Sequence, residues 1–486
     1  MTSGESPRRI LLVGAGHTAR LLAEGLAAEA HGLRLVAVLD DDPARLGTRL
    51  GTALVEGAVS ALAEVARRHE ATEVVIAIPS LTGGRLREIV AAARGAGLPA
   101  STMPGIVELL GRSITPRQLR PVELGDLLRR TEVRCDDPPP AYLHGQCVLI
   151  TGGGGSIGRE LARQVCRAAP ARVILLGHGE NSIHAAHADL TADADAPPIV
   201  PVIADITDRR SLARVFATHA PGVVFHAAAH KHVPLMEQFP AEAVRNNVLG
   251  TRNVVACAEA AGVPRLLFVS TDKAVAPASV MGATKRVCEW IVRAAAARTG
   301  HRYVSVRFGN VLGSRGSVVP VLEKQILRGG PVTLTDPAMS RFFMTIPEAV
   351  YLVLQAGGID DDGQLYVLDM GAPVRLVDLA ADLIQLAGGG DVPIVFTGLR
   401  PGEKLAEALW EAGCEVVPTG RGDVLRVTEP ARAPAGRALD RVVLRLIAAA
   451  RRGDADAIHA RLAEAIPTFV SSRLVPPPDP TRACSR

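Results

Sequence analysis

Apolar residues fall in short runs that alternate with glycine turns and with longer stretches of helical periodicity. The first cycle, over residues 9–39, reads RILLV, a GAGHTA turn, an alanine- and leucine-rich stretch, and then LRLVAVL. Runs this short, rich in leucine and β-branched residues and separated by helix-length segments, predict βαβ units and a parallel sheet covered on both faces. EVVIAIPS (73–80) and GGRLREIVAAARGAG (83–97) repeat the cycle, and this unit closes around residues 100–130. A second series starts with CVLITGGGGSIGRELARQV (147–165). It continues through RVILLGHGENSI (172–183), IVPVIADITD (199–208), VVFHAAAHKHVP (223–234) and RLLFVSTDKAV (265–275), each an apolar strand delivered into a loop. The expected class is α/β, with two Rossmann-like doubly wound parallel sheets whose ligands bind at the carboxyl ends of the strands.

Between the series, VRCDDPPPAYLHGQ (133–146) breaks both periods with three consecutive prolines and predicts a linker. Past residue 315 the pattern turns irregular, with strand-like PVTLTD and QLYVLDMG and helix-like PEAVYLVLQAG and VDLAADLIQLAG. The expected organisation is a first domain at 1–132, a linker at 133–146, and a second domain at 147–470 with a small C-terminal substrate-binding subdomain mainly at 315–430. The prolines and charges of 471–486 predict a disordered tail.

Composition narrows the function. A chain of 486 residues exceeds one hydrophobic core, in line with two domains. The 54 basic and 50 acidic residues nearly balance, and no basic block suggests a nucleic-acid partner. Seven cysteines, widely spaced and without a CxxC pair, predict free thiols and no metal site. No run approaches the ~20 apolar residues of a spanning helix, and MTSGESPRRI lacks the apolar core of a signal peptide. The expectation is a soluble cytoplasmic protein without membrane insertion.

Candidate chemistry gathers at the strand ends of the second series. Gly152, Gly155 and Gly158, with Ser156 and Ile157, form a TGxxGxxG turn that lets backbone amides approach a diphosphate. The acid that would hold an NAD ribose is displaced, because the next strand ends Leu176-Gly177-His178-Gly179-Glu180. Arg159 and His178 suggest a cationic pocket for a 2′-phosphate, which tilts the expected cofactor from NAD toward NADP. Asp205 and Ile206 are placed to meet the adenine. Ala227, Ala228 and Ala229 are small enough for a cofactor to lie against the backbone, while His230 and Lys231 line a substrate cleft. In VSTDKAVAPASVMGATK a strand end delivers Thr271, Asp272 and Lys273, and Lys285 follows on a helix. Hydroxyl, carboxyl and amine together suit general acid-base chemistry.

These residues resemble the extended short-chain dehydrogenase/reductase superfamily, and within it the bacterial polysaccharide-biosynthesis 4,6-dehydratases acting on UDP-N-acetylglucosamine. The resemblance rests on TGGGGSIGRE, FHAAAHKHVPLME, NNVLGT, STDKAV, RFGNVLGSRGSVVP, SRFFMTIPEAV and TGLRPGEKL, in order across residues 145–405. It implies that the sugar is oxidised at carbon 4 by a bound, recycled NAD(P). Lys273 then removes the carbon 5 proton, Asp272 protonates the departing carbon 6 hydroxyl, and hydride returns to carbon 6. Thr271 holds the carbon 4 hydroxyl. Asn310, Arg315, Arg400 and Glu403 sit in motifs that grip the nucleotide in similar enzymes. One departure concerns the superfamily's YxxxK pair: four residues before Lys285 stands Met281, which has no ionisable proton. A branch of the resembled family carries methionine there too. The base at the carbon 4 hydroxyl stays open, with Asp272 or a water as candidates. Long members of that family begin with membrane helices, whereas this chain begins at its first Rossmann-like unit.

In that first unit Gly14, Gly16 and Ala19 make a GxGxxA turn and Asp40 ends the next strand, so it either binds a nucleotide or serves packing and homo-oligomer contacts. Two other readings of the whole chain stay open, a nucleotide-sugar 4-epimerase and a catalytically silent nucleotide-sugar-binding protein.

Overall fold

The computed structural model describes residues 8–28, 32–78, 81, 83–103, 119–122, 124–127, 139–360, 365–387, 390–430 and 433–471. Residues 133–138 of the expected linker (133–146) and residues 472–486 of the expected tail (471–486) lie outside the described residues. Two compact units emerge, residues 1–136 with 381–391, and residues 137–380 with 392–486.

In the first unit, β1 (Arg8–Val13), β2 (Leu33–Leu39), β3 (Ala53–Gly57), β4 (Glu73–Ile76) and β5 (Ala100–Thr102) form a parallel sheet. Its order is β3-β2-β1-β4-β5, with two-residue antiparallel strands at each edge. Side chains of a strand point alternately to opposite faces. Ile10 and Leu12 of β1 therefore join one apolar cluster with Leu22, while Leu11 and Val13 join another with Leu62 and Ile89. Both faces are buried, as the near-continuous apolar strands require.

The second unit carries the larger sheet. Strands β6 (Cys147–Thr151), β7 (Arg172–Gly177), β8 (Ile199–Ile203), β9 (Val223–His226), β10 (Arg265–Val269), β11 (Arg302–Arg307) and β12 (Leu365–Leu368) pair in parallel. The hairpin of β13 (Glu415–Pro418) and β14 (Val424–Thr428) continues it antiparallel, giving the order β8-β7-β6-β9-β10-β11-β12-β14-β13. The chain reverses direction of travel between β6 and β9, and a crevice opens there at the strands' carboxyl ends. One face is covered by α1 (Gly250–Ala260) and α2 (Val280–Thr299), together with helices at Gly436–Arg451 and Ala455–Ala465 that the sequence pattern did not single out. Past the sheet, short strand pairs join 310–311 to 343–344, 332–334 to 394–396, and 340–341 to 374–375.

Two polar features interrupt this core. Residues Val244–Leu249 form a π-helical turn leading into α1, and the extra residue turns Asn247 inward. Its amide accepts from the His230 backbone N–H (2.8 Å) and donates to the His230 carbonyl and the Thr284 hydroxyl (both 3.1 Å). The second feature is ionic. Arg307, fully buried, donates twice to Glu289 (2.7 Å each) and once to Glu429 (2.9 Å), and Arg286 pairs with the same two acids. Burial would raise the Glu289 pKa, but the adjoining Arg307 and Arg286 outweigh it and hold the carboxyl below its usual range.

Removing one partner of a buried ionic cluster leaves an uncompensated charge, which typically costs about 3–5 kcal/mol. Arg307→Met should therefore lower unfolding stability by that order in urea titrations, and a loss below about 1 kcal/mol would show the cluster to be dispensable.

Candidate active site

The crevice between β6 and β9 holds a cavity of about 640 Å³. Its floor is the glycine turn. Gly152 has φ +70°, and a β-carbon on it would lie 2.8 Å from the Ala228 backbone nitrogen; one on Gly158 would overlap the Gly152 carbonyl. Only glycine lets these backbones close up. The helix that follows, Ser156–Cys166, starts at Gly155 with no side-chain cap, so its first amides lack side-chain acceptors beside the cavity that Gly155 and Ser156 line. Ala227 and Ala229 form the adjacent wall. Behind it, His226 is fully buried between the hydroxyls of Thr151 (2.7 Å) and Thr251 (2.9 Å). Burial, aided by the charge of Lys285, drives its pKa down to about 3.

On the other side the end of β10 delivers the reactive groups. Backbone bonds from Ser270 to Val306 (2.8 Å) and from Asp272 to Phe308 (3.1 Å) prolong the sheet pairing into the S-T-D-K turn. The Thr271 hydroxyl donates to Asp272 Oδ1 (2.8 Å), and Lys273 Nζ donates to that same oxygen (2.9 Å) and to Asn310 Oδ1 (3.0 Å). Thr271, Lys273 and Asn310 line the cavity. Asp272 does not: it is fully buried behind them, and its Oδ2 has no hydrogen-bond partner. This differs from the expectation that Asp272 meets the substrate itself.

Lys285 and Met281, one turn apart on α2, also line the cavity. Lys285 Nζ donates to the Val269 carbonyl (2.5 Å) and lies 4.0 Å from the centre of the Phe268 ring. Burial brings its pKa down to about 8, against partial support from Cys288 and Glu289. Met281 is 3% exposed and packs with the core.

Other candidates stand elsewhere. Arg315 lines the cavity and reaches the glycine turn: its amide donates to Ser156 Oγ (3.2 Å) and its guanidinium to the Gly154 carbonyl. Lys231 Nζ is 3.3 Å from Ser314 Oγ, and burial plus the positive charges of Arg315 and Lys273 lower its pKa. Arg159 is paired with Asp189 on the surface. His178 and Asp205 are exposed, and both charges act on His230. Ile206 is core, packed where a side chain on Gly250 would be. Arg400 and Glu403 bond to each other (2.5 Å) and do not line the cavity. In the first unit, Asp40 accepts from the Ala15 amide of the glycine turn (2.6 Å) and from Arg45 (3.0 Å), so its carboxylate is already engaged. His226, Asn247, Ser270 and Glu289 were missed as site residues; a polar pair inside NNVLGT and a histidine ending an apolar strand were the available signals.

A doubly wound sheet with this strand order, a glycine turn at its switch point and a Thr-Asp-Lys turn on the cavity define a Rossmann-fold protein of the extended short-chain dehydrogenase type. The chain belongs to the polysaccharide biosynthesis protein family, whose model matches residues 148–429. It is 45% identical over 406 residues to the capsular polysaccharide biosynthesis protein CapD of Staphylococcus aureus, covering 82% of this chain and 68% of that protein. It is also 34% identical over 265 residues to the UDP-glucose 4-epimerase of Rickettsia rickettsii, covering 54% and 76%. Among solved structures, Pen from Bacillus thuringiensis superposes with a TM-score of 0.56 at 33% identity, covering 61% of this chain and 92% of that one. Among the described residues no helix is long and apolar enough to cross a membrane.

The depressed Lys285 pKa has a sign that can be measured. Between about pH 8 and 10.5 the unfolded chain binds the lysine proton and the folded chain does not, so stability rises with pH across that window. Full relief over a shift from 10.5 to about 8 is of the order of 3–4 kcal/mol at about 1.4 kcal/mol per pKa unit. Comparing urea midpoints of wild type and Lys285→Met at pH 7.5 and 10 isolates this contribution; the variant should gain less on going to pH 10, and equal gains would mean an ordinary lysine.

Proposed function

We propose that this chain is a nucleotide-sugar 4,6-dehydratase that converts a UDP-N-acetylhexosamine, UDP-N-acetylglucosamine first among them, to the 4-keto-6-deoxy sugar with a bound NAD(P). The observation that carries the reading is the turn on the cavity in which Thr271 and Lys273 share one oxygen of Asp272. Eliminating water across carbons 5 and 6 needs a base for one atom and a proton for the other, and this turn holds both a few ångströms apart. The substrate class is what the resemblance of the motifs to UDP-N-acetylglucosamine dehydratases implies, and membership of a polysaccharide biosynthesis family supports it.

The crevice fits a dinucleotide. Gly152 and Gly158 leave no room for a side chain, the uncapped helix at Ser156 offers amides to a diphosphate, and the Ala227 to Ala229 wall is flat. When bound, a nicotinamide supplies hydride acceptance at carbon 4 and hydride return at carbon 6. All proton movements fall to the chain. Lys273 takes the carbon 5 proton, acidified by the neighbouring ketone, and Asp272 is the source of the proton for the departing hydroxyl. Lys285, when protonated, adds positive charge at the cavity wall. A preference for NADP over NAD would rest on His178 and on Arg159, whose side chain lies on the surface beside Asp189.

The epimerase reading draws on the 34% identity to a UDP-glucose 4-epimerase. Epimerisation at carbon 4 changes no mass and needs no acid for a leaving group. Incubation with UDP-N-acetylglucosamine should yield a product lighter by one water, carrying solvent deuterium at carbon 5 when the reaction is run in D2O. Lys273→Met should lose about 100- to 10,000-fold in rate while still binding the nucleotide sugar. Unchanged mass would overturn the dehydratase reading, and a loss under about tenfold would remove Lys273 as the base.

A further inference from the structure

The loop after the short strand at 310–311 returns across the cavity to the glycine turn. It runs Leu312-Gly313-Ser314-Arg315-Gly316-Ser317 and leads into a helix at Val318–Leu327. The Leu312 amide anchors its start on the Met344 carbonyl (2.9 Å), and the Ser317 amide closes a turn on the Ser314 carbonyl (3.0 Å). Gly313 and Gly316 stand in the left-handed region at φ +70° and +71°, which side-chain-bearing residues rarely adopt. The space around Gly313 is open. A β-carbon on Gly316 would lie 2.8 Å from the His232 ring, so the loop rests against that ring. Ser314, which is buried, is 3.3 Å from Lys231 Nζ.

Arg315 spans what remains of the gap. Its backbone amide donates to Ser156 Oγ (3.2 Å), on the first residue of the helix Ser156–Cys166, and its guanidinium donates to the Gly154 carbonyl. Resting on the dinucleotide reading of the crevice, and not on dehydration, we propose that residues 313–316 form a latch, fastened by Arg315, that gates entry and exit of the nicotinamide cofactor. Both ties of Arg315 are to protein groups, so the latch closes without using a cofactor contact. A dinucleotide on the glycine turn leaves only after these bonds part and the loop swings on its two glycines, and entry needs the same opening. The proposed reaction gives such a gate a purpose. Hydride taken from carbon 4 goes back to carbon 6 of the same sugar, so a cofactor lost between the two transfers would strand an oxidised intermediate, and exchange with solution serves no step of the cycle.

A gate slows passage in both directions, whereas a ligand slows departure alone. A hydrogen bond from a charged donor is commonly worth roughly tenfold to a hundredfold in an equilibrium constant. Arg315→Met should therefore raise both the association and the dissociation rate constants of NADH and NADPH at least about tenfold, with Kd within about threefold of wild type. Arg315 is exposed, so this change spares the core. Stopped-flow nicotinamide fluorescence reads both constants, association on protein stripped of nucleotide with charcoal and release with excess oxidised cofactor as the chase. Gly316→Ala removes no charge and forces the loop off the His232 ring, and it should move both constants in the same direction. Faster release with unchanged association in Arg315→Met, so that Kd weakens in proportion, would make Arg315 an ordinary cofactor ligand and overturn the latch. Constants within about threefold of wild type in that variant would overturn it as well. If wild type binds neither NADH nor NADPH, the dinucleotide reading fails and the latch with it; if wild type binds them and Arg315→Met exchanges no faster, only the latch fails.

Discussion

The carboxylate of Glu289 is the point on which the cavity's geometry hangs. It accepts the Ser270 hydroxyl at 2.6 Å, one residue before the reactive turn, and it grips Arg307 at the end of β11. Arg307 in turn holds Glu429, just beyond β14, so four segments distant in sequence meet at one buried cluster. Such clusters add little net stability compared with apolar packing, but an unpaired member is costly, so alternatives that separate the segments are excluded. Lys285 and Met281 lie one and two turns before Glu289 on α2, and the same anchor therefore fixes the cavity wall opposite the glycine turn.

Desolvation then sorts the ionisable groups into different tasks. His226 is so deeply buried that it stays neutral near pH 7, and it acts as a hydrogen-bond link from Thr151 to Thr251 instead of a base. Lys285, also buried but touching a carbonyl and an aromatic face, keeps a pKa near 8 and so changes charge close to neutral pH. Lys273 is about one-fifth exposed and faces the cavity. Three basic side chains within the same unit thus differ in role because they differ in access to water.

Period and punctuation made much of the fold legible. Continuous apolar runs such as CVLIT and RVILL are buried on both faces, which is what parallel pairing demands, and the TGGGGSIG spacing marked the switch point. Side-chain pairing was not legible, because a residue's partner depends on which loop folds over it. The pairing of Arg159 with helical Asp189 and the contact of Arg315 with the Gly154 carbonyl could not be read from the sequence. Ile206, just after a strand, packs its side chain into the core against Gly250, a contact 44 residues away that the local pattern does not announce. The buried cluster at Glu289 escaped notice because Arg286, Glu289, Arg307 and Glu429 have no common spacing; only the fold brings them together.

Met281 and Asp272 are best understood together. A thioether in the core cannot exchange protons, and its packing contributes apolar surface to the wall where a phenol would otherwise stand. The ionisable groups at this end of the cavity lie on the facing turn instead, where the Thr271 hydroxyl borders the cavity and bonds to the Asp272 carboxylate. A hydroxyl is both donor and acceptor, so it can pass a proton in either direction without storing charge. A carboxylate placed directly in the cavity would instead be solvated whenever substrate is absent. Held behind Thr271 and Lys273, Asp272 is kept dry, and both of those cavity-lining groups bond to the same one of its oxygens.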